Sequence, residues 1–88
     1  MIEVIVEKEG EEVGRHRLPQ GVSTVGRSEE NEIVLDDAGV SRRHAQIRIE
    51  GPQVLIEDLG SGNGTFFGDT RIARKELLDG DEIIIEPF

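Results

Sequence analysis

Four short segments of this 88-residue chain carry side chains suited to binding or catalysis. They are Gly26-Arg27, Ser41-Arg42-Arg43-His44, Asp58-Leu59-Gly60-Ser61 and Gly62-Asn63-Gly64-Thr65. Guanidinium groups and a serine hydroxyl supply several hydrogen-bond donors, and a phosphate group requires several donors around one point. If the loops that carry these segments meet, they would form a phosphate site.

Nucleophilic catalysis is a second chemistry open to the same residues. Ser41 and His44 could serve as nucleophile and base, with Asp36, Asp37 or Asp58 as the orienting acid. However, the chain has no nucleophile-elbow sequence, and a hydroxyl three residues before a histidine is a common pattern. We therefore expect His44 to be a structural residue that hydrogen-bonds neighbouring loops.

The glycine-rich run from Gly60 to Gly64 matches neither common nucleotide-binding motif. No lysine follows it, as a Walker loop requires, and its glycine spacing differs from the dinucleotide fingerprint. Asn-Gly alone is typical of a tight hairpin turn, so Asn63 either serves that turn or offers its amide to a ligand. The acids of residues 79–82 lack the EF-hand spacing and indicate a solvated turn.

The charge balance and the cysteine count exclude several classes of function. Ten Lys and Arg against 19 Asp and Glu give a net charge of −9, which argues against binding to nucleic acid or to an anionic membrane. With no Cys and two His, we expect no disulfide, metal or cofactor. The chain shows no signal-peptide pattern and no apolar run near the roughly 18 residues of a membrane span, so we expect a cytoplasmic location.

The elements that must position these loops are predicted to be β-strands. Eight Val and ten Ile outnumber the Leu, Ala and Met residues, and branching at Cβ favours strands. Apolar residues alternate in short runs between turn signals about eight to twelve residues apart, which indicates an all-β sandwich or barrel. No linker or repeat interrupts the chain, so we interpret residues 1–88 as one domain.

The alternation also predicts where the strands lie. In the longest run Ala45, Ile47 and Ile49 should face the core, while the run at 54–56 should be buried on both faces. Only Ile72 to Leu78 could form a helical turn or two. The predicted strands are 2–6, 13–18, 22–25, 32–35, 44–50, 54–59, 65–67, 70–73 and 83–85.

Taken together and in this order, the four segments and Leu78-Asp79-Gly80-Asp81 resemble the forkhead-associated (FHA) domain family. The resemblance runs from about residue 2 to residue 86. It implies a two-sheet β-sandwich of about ten or eleven short, mainly antiparallel strands. It also implies a phosphothreonine-peptide site on the loops at one end of the sandwich.

Carried over position by position, the resemblance implies a role for each site residue. Arg27 and Ser41 would hold phosphate oxygens, Arg42 would add a second cation, and Asn63 would hydrogen-bond the peptide main chain. Many members have Ser or Thr where this chain has Gly62, so contact there is limited to a backbone N–H. Structural support of the site is implied for Gly26, His44, Gly64 and Thr65.

The end of the chain departs from the family pattern, although the resemblance still implies a function for the domain. Members tend to end with a further strand beside the first one, whereas this chain stops at Phe88. Either the chain is a piece of a longer protein, or it closes with one strand fewer, leaving the Met1 strand with an exposed edge that Pro87 blunts. The implied function is a non-enzymatic signalling module that docks the phosphothreonine segments made by a Ser/Thr kinase. A phosphate-independent interaction or oligomerisation sandwich is the alternative, and a hydrolase is a more remote third.

Overall fold

The computed structural model describes residues 2–88, in which nine strands form a β-sandwich without any helix. Met1, where the sequence prediction placed the first edge, lies outside the described residues. The nine strands are β1 (Ile2–Lys8), β2 (Glu11–Leu18), β3 (Gly21–Gly26), β4 (Ile33–Val34), β5 (Ala45–Glu50), β6 (Gln53–Asp58), β7 (Phe66–Phe67), β8 (Thr70–Arg71) and β9 (Arg74–Glu76).

A five-stranded sheet in the order β4-β3-β5-β6-β9 forms the larger layer. Strands β3, β5, β6 and β9 pair antiparallel, while the short β4 runs parallel to β3. Two hairpins, β1-β2 and β7-β8, make up the rest of the strand content, and Ile84 forms a single bridge with Phe66. This last apolar run therefore makes one bridge where a strand was predicted. The nine strands of residues 2–88 compare with the ten or eleven that the family resemblance implies.

The core lies between the five-stranded sheet and the β1-β2 hairpin. Alternate residues of β5, namely Ala45, Ile47 and Ile49, are buried as predicted, since successive side chains of a strand point to opposite faces. The inward residues Ile2 and Val4 of β1 pack against that core. The remaining core residues are Leu18, Val25, Ile33, Leu35, Val40, Ile56 and Ile85.

Two predictions about β6 and the segment after β8 were wrong. Leu55 is only half-buried because it lies on the outer face of the sheet, opposite Arg48, and only Ile56 of that run is fully buried. The stretch predicted as a possible helical turn contains β9 instead. It pairs with β6 from Leu55 to Glu57, and partly buried Ile72 and Leu77 pack against the core from either side of it.

The turns follow the chemistry of their residues. Glu9 and Gly10 join β1 to β2 with φ values of 55° and 81°, the combination that a type I′ hairpin requires. Gly80 has a φ of 88° in the predicted tight turn after Asp79. The described chain contains no helix with the length and apolar character needed to cross a membrane.

Candidate functional site

Three loops meet at one end of the sandwich because of the strand register. Val25 near the end of β3 is opposite Ala45 at the start of β5, and Ala45 is opposite Asp58 at the end of β6. The loop after β3, the loop before β5 and the loop after β6 therefore leave the sheet at the same edge. These are the loops on which the sequence predicted the site, and they occupy residues 27–32, 35–44 and 59–65.

Gly26 allows the first two of these loops to approach each other. It is buried, and a Cβ atom at this position would collide with the backbone carbonyl of Arg42. Two backbone hydrogen bonds join the loops there, from Arg27 N–H to Ser41 O at 3.0 Å and from Ser28 N–H to Arg42 O at 3.2 Å. A glycine is required because another backbone occupies the space of a side chain.

The Arg27 guanidinium group forms a hydrogen bond within the domain through one of its three nitrogens, and the other two are free. Its Nε–H donates to the carbonyl of Val40 at 3.0 Å, which fixes the plane of the guanidinium group. The side chain is exposed. No carboxylate of residues 2–88 lies within 4.0 Å of it, so the two terminal nitrogens remain available to an anion.

Ser41 connects the second loop to the third. Its Oγ accepts a hydrogen bond from the backbone N–H of Gly62 at 3.1 Å. This bond uses the oxygen as an acceptor and leaves the hydroxyl proton free to donate to a ligand. Ser41 and Gly62, both predicted site residues, are therefore in direct contact.

Asn63 does not adopt the backbone conformation of an Asn-Gly hairpin turn. The positive φ values in this loop belong to Gly60 and Gly64, at 75° and 94°, and Asn63 has none. Its side-chain Nδ2–H donates to the carbonyl of Gly39 at 2.8 Å, across to the second loop. The turn interpretation of Asn63 is therefore wrong, since the residue acts through its amide.

His44 lies at the centre of the three loops and is fully buried. Its Nδ1 accepts the backbone N–H of Ser41 at 3.1 Å, so its Nε2 carries the proton and donates to Gly64 O at 2.8 Å. Both ring nitrogens are occupied by backbone groups. His44 is therefore not placed to remove a proton from the Ser41 hydroxyl, which contradicts the catalytic alternative.

Asp58, which begins one of the four predicted segments, organises the third loop and does not contact His44 as an orienting acid would. Its carboxylate accepts hydrogen bonds from the hydroxyls of Ser61 at 2.6 Å and Thr65 at 2.8 Å. The backbone N–H groups of Gly60 and Ser61 donate to its other oxygen. Burial of the carboxyl group raises its pKa, but these four hydrogen bonds outweigh burial, so the pKa of Asp58 is lowered.

The two adjacent arginines of the second loop have different surroundings. Arg42 is exposed and, like Arg27, makes no ion pair among the described residues. The positive charge of Arg43 instead helps to lower the pKa of Glu32, after the larger effect of the Thr24 hydrogen bonds to that carboxylate. Neither arginine has a carboxylate within 4.0 Å among the described residues, but the charge of Arg43 acts on Glu32, so Arg42 is the better placed to serve an anionic ligand.

Asn31 is a support residue that could not be identified from the sequence. It is buried, and its Nδ2 donates to the carbonyls of Ser28 and Arg42, each at 2.8 Å. It thereby fixes the first loop to the second beside Gly26. Nothing local distinguishes this asparagine from an exposed turn residue, because both of its partners depend on the fold.

The site offers cations, a hydroxyl and an amide, and no metal-binding group of carboxylates and imidazoles. Among residues 2–88, no cluster of three or more His, Asp or Glu side chains is arranged to hold a metal ion. Arg27, Arg42, Ser41 and Asn63 lie on loops joined to each other by the hydrogen bonds above. The chemistry of these donors suits a phosphate group next to a peptide backbone.

Comparison with known proteins agrees with this geometry. Residues 23–86 match the family model described as FHA domain. The chain is 40% identical over 86 residues to "Glycogen accumulation regulator GarA" of Mycolicibacterium smegmatis, an alignment that covers 97% of this chain and 54% of that protein. The chain thus spans about half the length of the curated relatives it matches.

Two solved structures are similar in both sequence and fold. One, from a study of phosphothreonine-dependent FHA domain interactions, has a TM-score of 0.80 and 34% identity, covering 93% of this chain and 82% of the other. The other is EmbR of Mycobacterium tuberculosis in complex with a low-affinity phosphopeptide, with a TM-score of 0.78 and 39% identity, covering 89% of this chain and 20% of EmbR. From the family match, the sequence identity and the shared fold together, this chain belongs to the FHA domain family.

Proposed function

We propose that this domain binds phosphothreonine-containing segments of partner proteins and does so without catalysis. The observation that carries the proposal is the pair of unpaired guanidinium groups, Arg27 and Arg42, on loops joined at the hydroxyl-bearing Ser41. A phosphate dianion has up to two charges and three free oxygens, which match two arginines and one hydroxyl. The complex of EmbR with a low-affinity phosphopeptide and the phosphothreonine-dependent FHA domain interactions studied with the other similar structure support this assignment.

The remaining site residues would hold the peptide backbone. Asn63 has one amide proton and its Oδ1 left after bonding to Gly39, and these would pair with main-chain groups beside the phosphothreonine. Gly62 offers only its N–H, which in the free domain bonds to Ser41. His44, Gly26, Gly64 and Thr65 would act indirectly, since their contacts are with other loop atoms.

The proposal extends to the cellular context of the domain. Phosphothreonine is made by ATP-dependent Ser/Thr kinases, so we place the domain in the cytoplasm and in kinase-regulated signalling. The GarA relative is named as a regulator, which supports a regulatory rather than an enzymatic role. We also propose that residues 1–88 act as a single domain within a larger regulatory protein.

Titration of matched peptides tests the proposal. We expect a phosphothreonine peptide to bind with micromolar affinity, about −7 to −8 kcal/mol, and the unphosphorylated and Asp-substituted versions to bind far more weakly. Phosphoserine should also bind more weakly, because the family resemblance indicates use of the threonine methyl group. Equal affinity for phosphorylated and unphosphorylated peptides would instead favour a phosphate-independent interaction domain.

A matched pair of variants locates the phosphate. Arg27→Ala should cost about 1.5 to 3 kcal/mol of binding free energy, the range for hydrogen bonds to charged groups, with little loss of thermal stability. Arg17→Ala makes the same charge change on β2, opposite Glu3, and should leave binding almost unaltered. If Arg27→Ala unfolds the domain yet the folded fraction keeps its affinity, then Arg27 is structural.

A further inference from the structure

Arg71, at the end of β8, lies against the third loop. Its Nη2–H donates to the carbonyl of Ser61 at 3.0 Å. Its side chain also passes Gly64, where a Cβ atom would come within 2.8 Å of Arg71 Nε. The loop is therefore held by Ser41 through Gly62 and by Arg71 through Ser61.

The charge of Arg71 is not neutralised by any carboxylate of residues 2–88. Lys8, Arg15, Arg48 and Lys75 each have a carboxylate within 4.0 Å, whereas Arg71 has none, as is also true of Arg17, Arg27, Arg42, Arg43 and Arg74. What sets Arg71 apart from Arg17 and Arg74 is its contact with the loop of the site. Arg71 is exposed and has no such carboxylate, although the chain carries 19 acidic residues. Only one of its five N–H donors has a partner among the hydrogen bonds of the described chain.

Arg71 is connected to the phosphate site through the third loop. Ser41 contacts Gly62, Asn63 reaches back to Gly39, and Arg71 holds the same loop at Ser61. The Arg71 guanidinium group therefore lies beside the loop that carries Gly62 and Asn63, and a peptide bound at Ser41 and Asn63 would have to pass this loop. An extended chain advances about 3.3 Å per residue, so a side chain a few residues from the phosphothreonine reaches this guanidinium.

We propose that Arg71 is a specificity-determining residue that selects an Asp or Glu side chain on one flank of the phosphothreonine. The inference rests on the proposed function of the same site. A guanidinium group pairs with a carboxylate through two parallel hydrogen bonds, and Arg71 has free donors for this arrangement. Its bond to Ser61 limits the motion of the side chain and so reduces the entropy lost when a ligand carboxylate binds.

The test measures the affinity of a set of phosphothreonine peptides. In this set, each of about four positions on either side of the phosphothreonine is in turn Asp, Ala or Lys, which covers about 13 Å in each direction. The wild-type domain should favour Asp over Ala by about threefold to fivefold at positions on one flank only, as expected for a partly exposed ion pair. Arg71→Gln should reduce this ratio to near one, and Arg71→Lys should keep part of it. Arg74→Gln is the control. Arg74 lies on β9, opposite Glu57 of β6, and this variant should keep the full Asp-to-Ala ratio.

The Asp-to-Ala ratio separates recognition from support of the loop. If Arg71 only holds Ser61 in place, Arg71→Gln will weaken all peptides by one common factor and leave the ratio intact, which would overturn the inference. Phosphate-dependent binding with no preference for Asp would overturn it too, while leaving the proposed function in place. Absence of any phosphate dependence would overturn the proposed function and this inference together. Thermal denaturation of each variant confirms that the compared domains are folded.

Discussion

At the residue scale, Asn63 serves two purposes with different atoms of one amide group. One Nδ2 proton joins its loop to Gly39, while the other proton and Oδ1 remain for a ligand. The residue has an ordinary φ, so its presence reflects the amide and not the tolerance of asparagine for the left-handed conformation. We therefore expect the Asn63 amide to contribute both to the stability of the domain and to ligand binding, and these two contributions can be measured separately.

Replacing Asn63 with alanine measures these two contributions. We expect Asn63→Ala to lower the free energy of unfolding by about 1 kcal/mol, the net value of one neutral hydrogen bond, and to leave the domain folded. The affinity for a phosphothreonine peptide should fall by a further 1 to 2 kcal/mol, roughly two hydrogen bonds to the peptide main chain. Urea denaturation and calorimetric titration of the same samples give both numbers. An unchanged affinity in the folded variant would remove Asn63 from the binding site.

Gly62 and Gly64 lie in the same loop but differ in their tolerance of a side chain. A Cβ atom at Gly62 would meet no atom within 4 Å, and its φ is not in the left-handed region. At Gly64, with a φ of 94°, a Cβ atom would come within 2.8 Å of Arg71 Nε. A side chain is therefore tolerated at Gly62 but not at Gly64.

We predict that Gly62→Ser strengthens peptide binding. The added hydroxyl restores a donor that many family members have at this position, worth about 0.5 to 1.5 kcal/mol, and stability should change by less than about 0.5 kcal/mol. Gly64→Ser is the matched control. It should destabilise the domain by more than about 1 kcal/mol, because its φ and its contact with Arg71 both oppose a side chain. Equal melting temperatures for the two variants would contradict this account of the loop.

At the scale of elements, the sequence predicted those strands whose burial alternates, and failed where neighbours decide the structure. Ala45, Ile47 and Ile49 were assigned correctly because the period of two is a local property of the chain. The segment around β9 resembled a helical turn because its pairing with β6 is invisible in its own residues. The family motifs identified the loops of the site, but the roles of Asn31 and Arg71 depend on contacts between loops.

The loop after β6 depends on the ionised form of Asp58. Hydrogen bonds from Ser61, Thr65 and Gly60 lower the pKa of this carboxyl group despite its burial. A pKa lowered by folding contributes stability that is fully present above the unfolded value of about 3.9 and is lost as the pH falls through the folded value. Protonation of Asp58 in acid should therefore loosen the loop that carries Gly62 and Asn63.

We predict that Asp58→Asn destabilises the domain by about 1.5 kcal/mol at pH 7, since the amide cannot accept all four hydrogen bonds. The difference from the wild type should shrink as the pH falls below about 4, because the unfolded chain then takes up a proton on Asp58 that the folded domain binds only at lower pH. Urea denaturation at several pH values measures this convergence. Glu12→Gln is the control: the pKa of Glu12 is also lowered, mainly by its hydrogen bond with Arg15, but this pair lies on the exposed β1-β2 hairpin, so the variant should change stability little at any pH. A difference that stayed constant with pH would show that the charge of Asp58 is not involved.

At the scale of the whole molecule, the field of the domain opposes its proposed ligand. The net charge of −9 repels an anionic peptide at long range, whereas Arg27 and Arg42 attract its phosphate at short range. Ions screen the long-range part first, since the Debye length is about 10 Å at 0.1 M salt. The repulsion should act on the rate of encounter, and the local contacts should set the rate of dissociation.

Reversing two charges far from the site separates these effects. Glu50 ends β5 at the end remote from Ala45, and Glu76 ends β9 opposite Leu55, about 10 Å along β6 from Asp58. The double variant Glu50→Lys/Glu76→Lys changes the net charge from −9 to −5, because each reversal adds two positive charges.

At about 0.01 M ionic strength, where the Debye length of about 30 Å spans the domain, we expect the association rate constant to rise about threefold with no change in the dissociation rate constant. At about 1 M salt the Debye length falls to about 3 Å and the two proteins should associate equally fast. Stopped-flow measurements across this range decide the matter: a change confined to dissociation, or one that persists at high salt, would mean that Glu50 or Glu76 contacts the peptide directly.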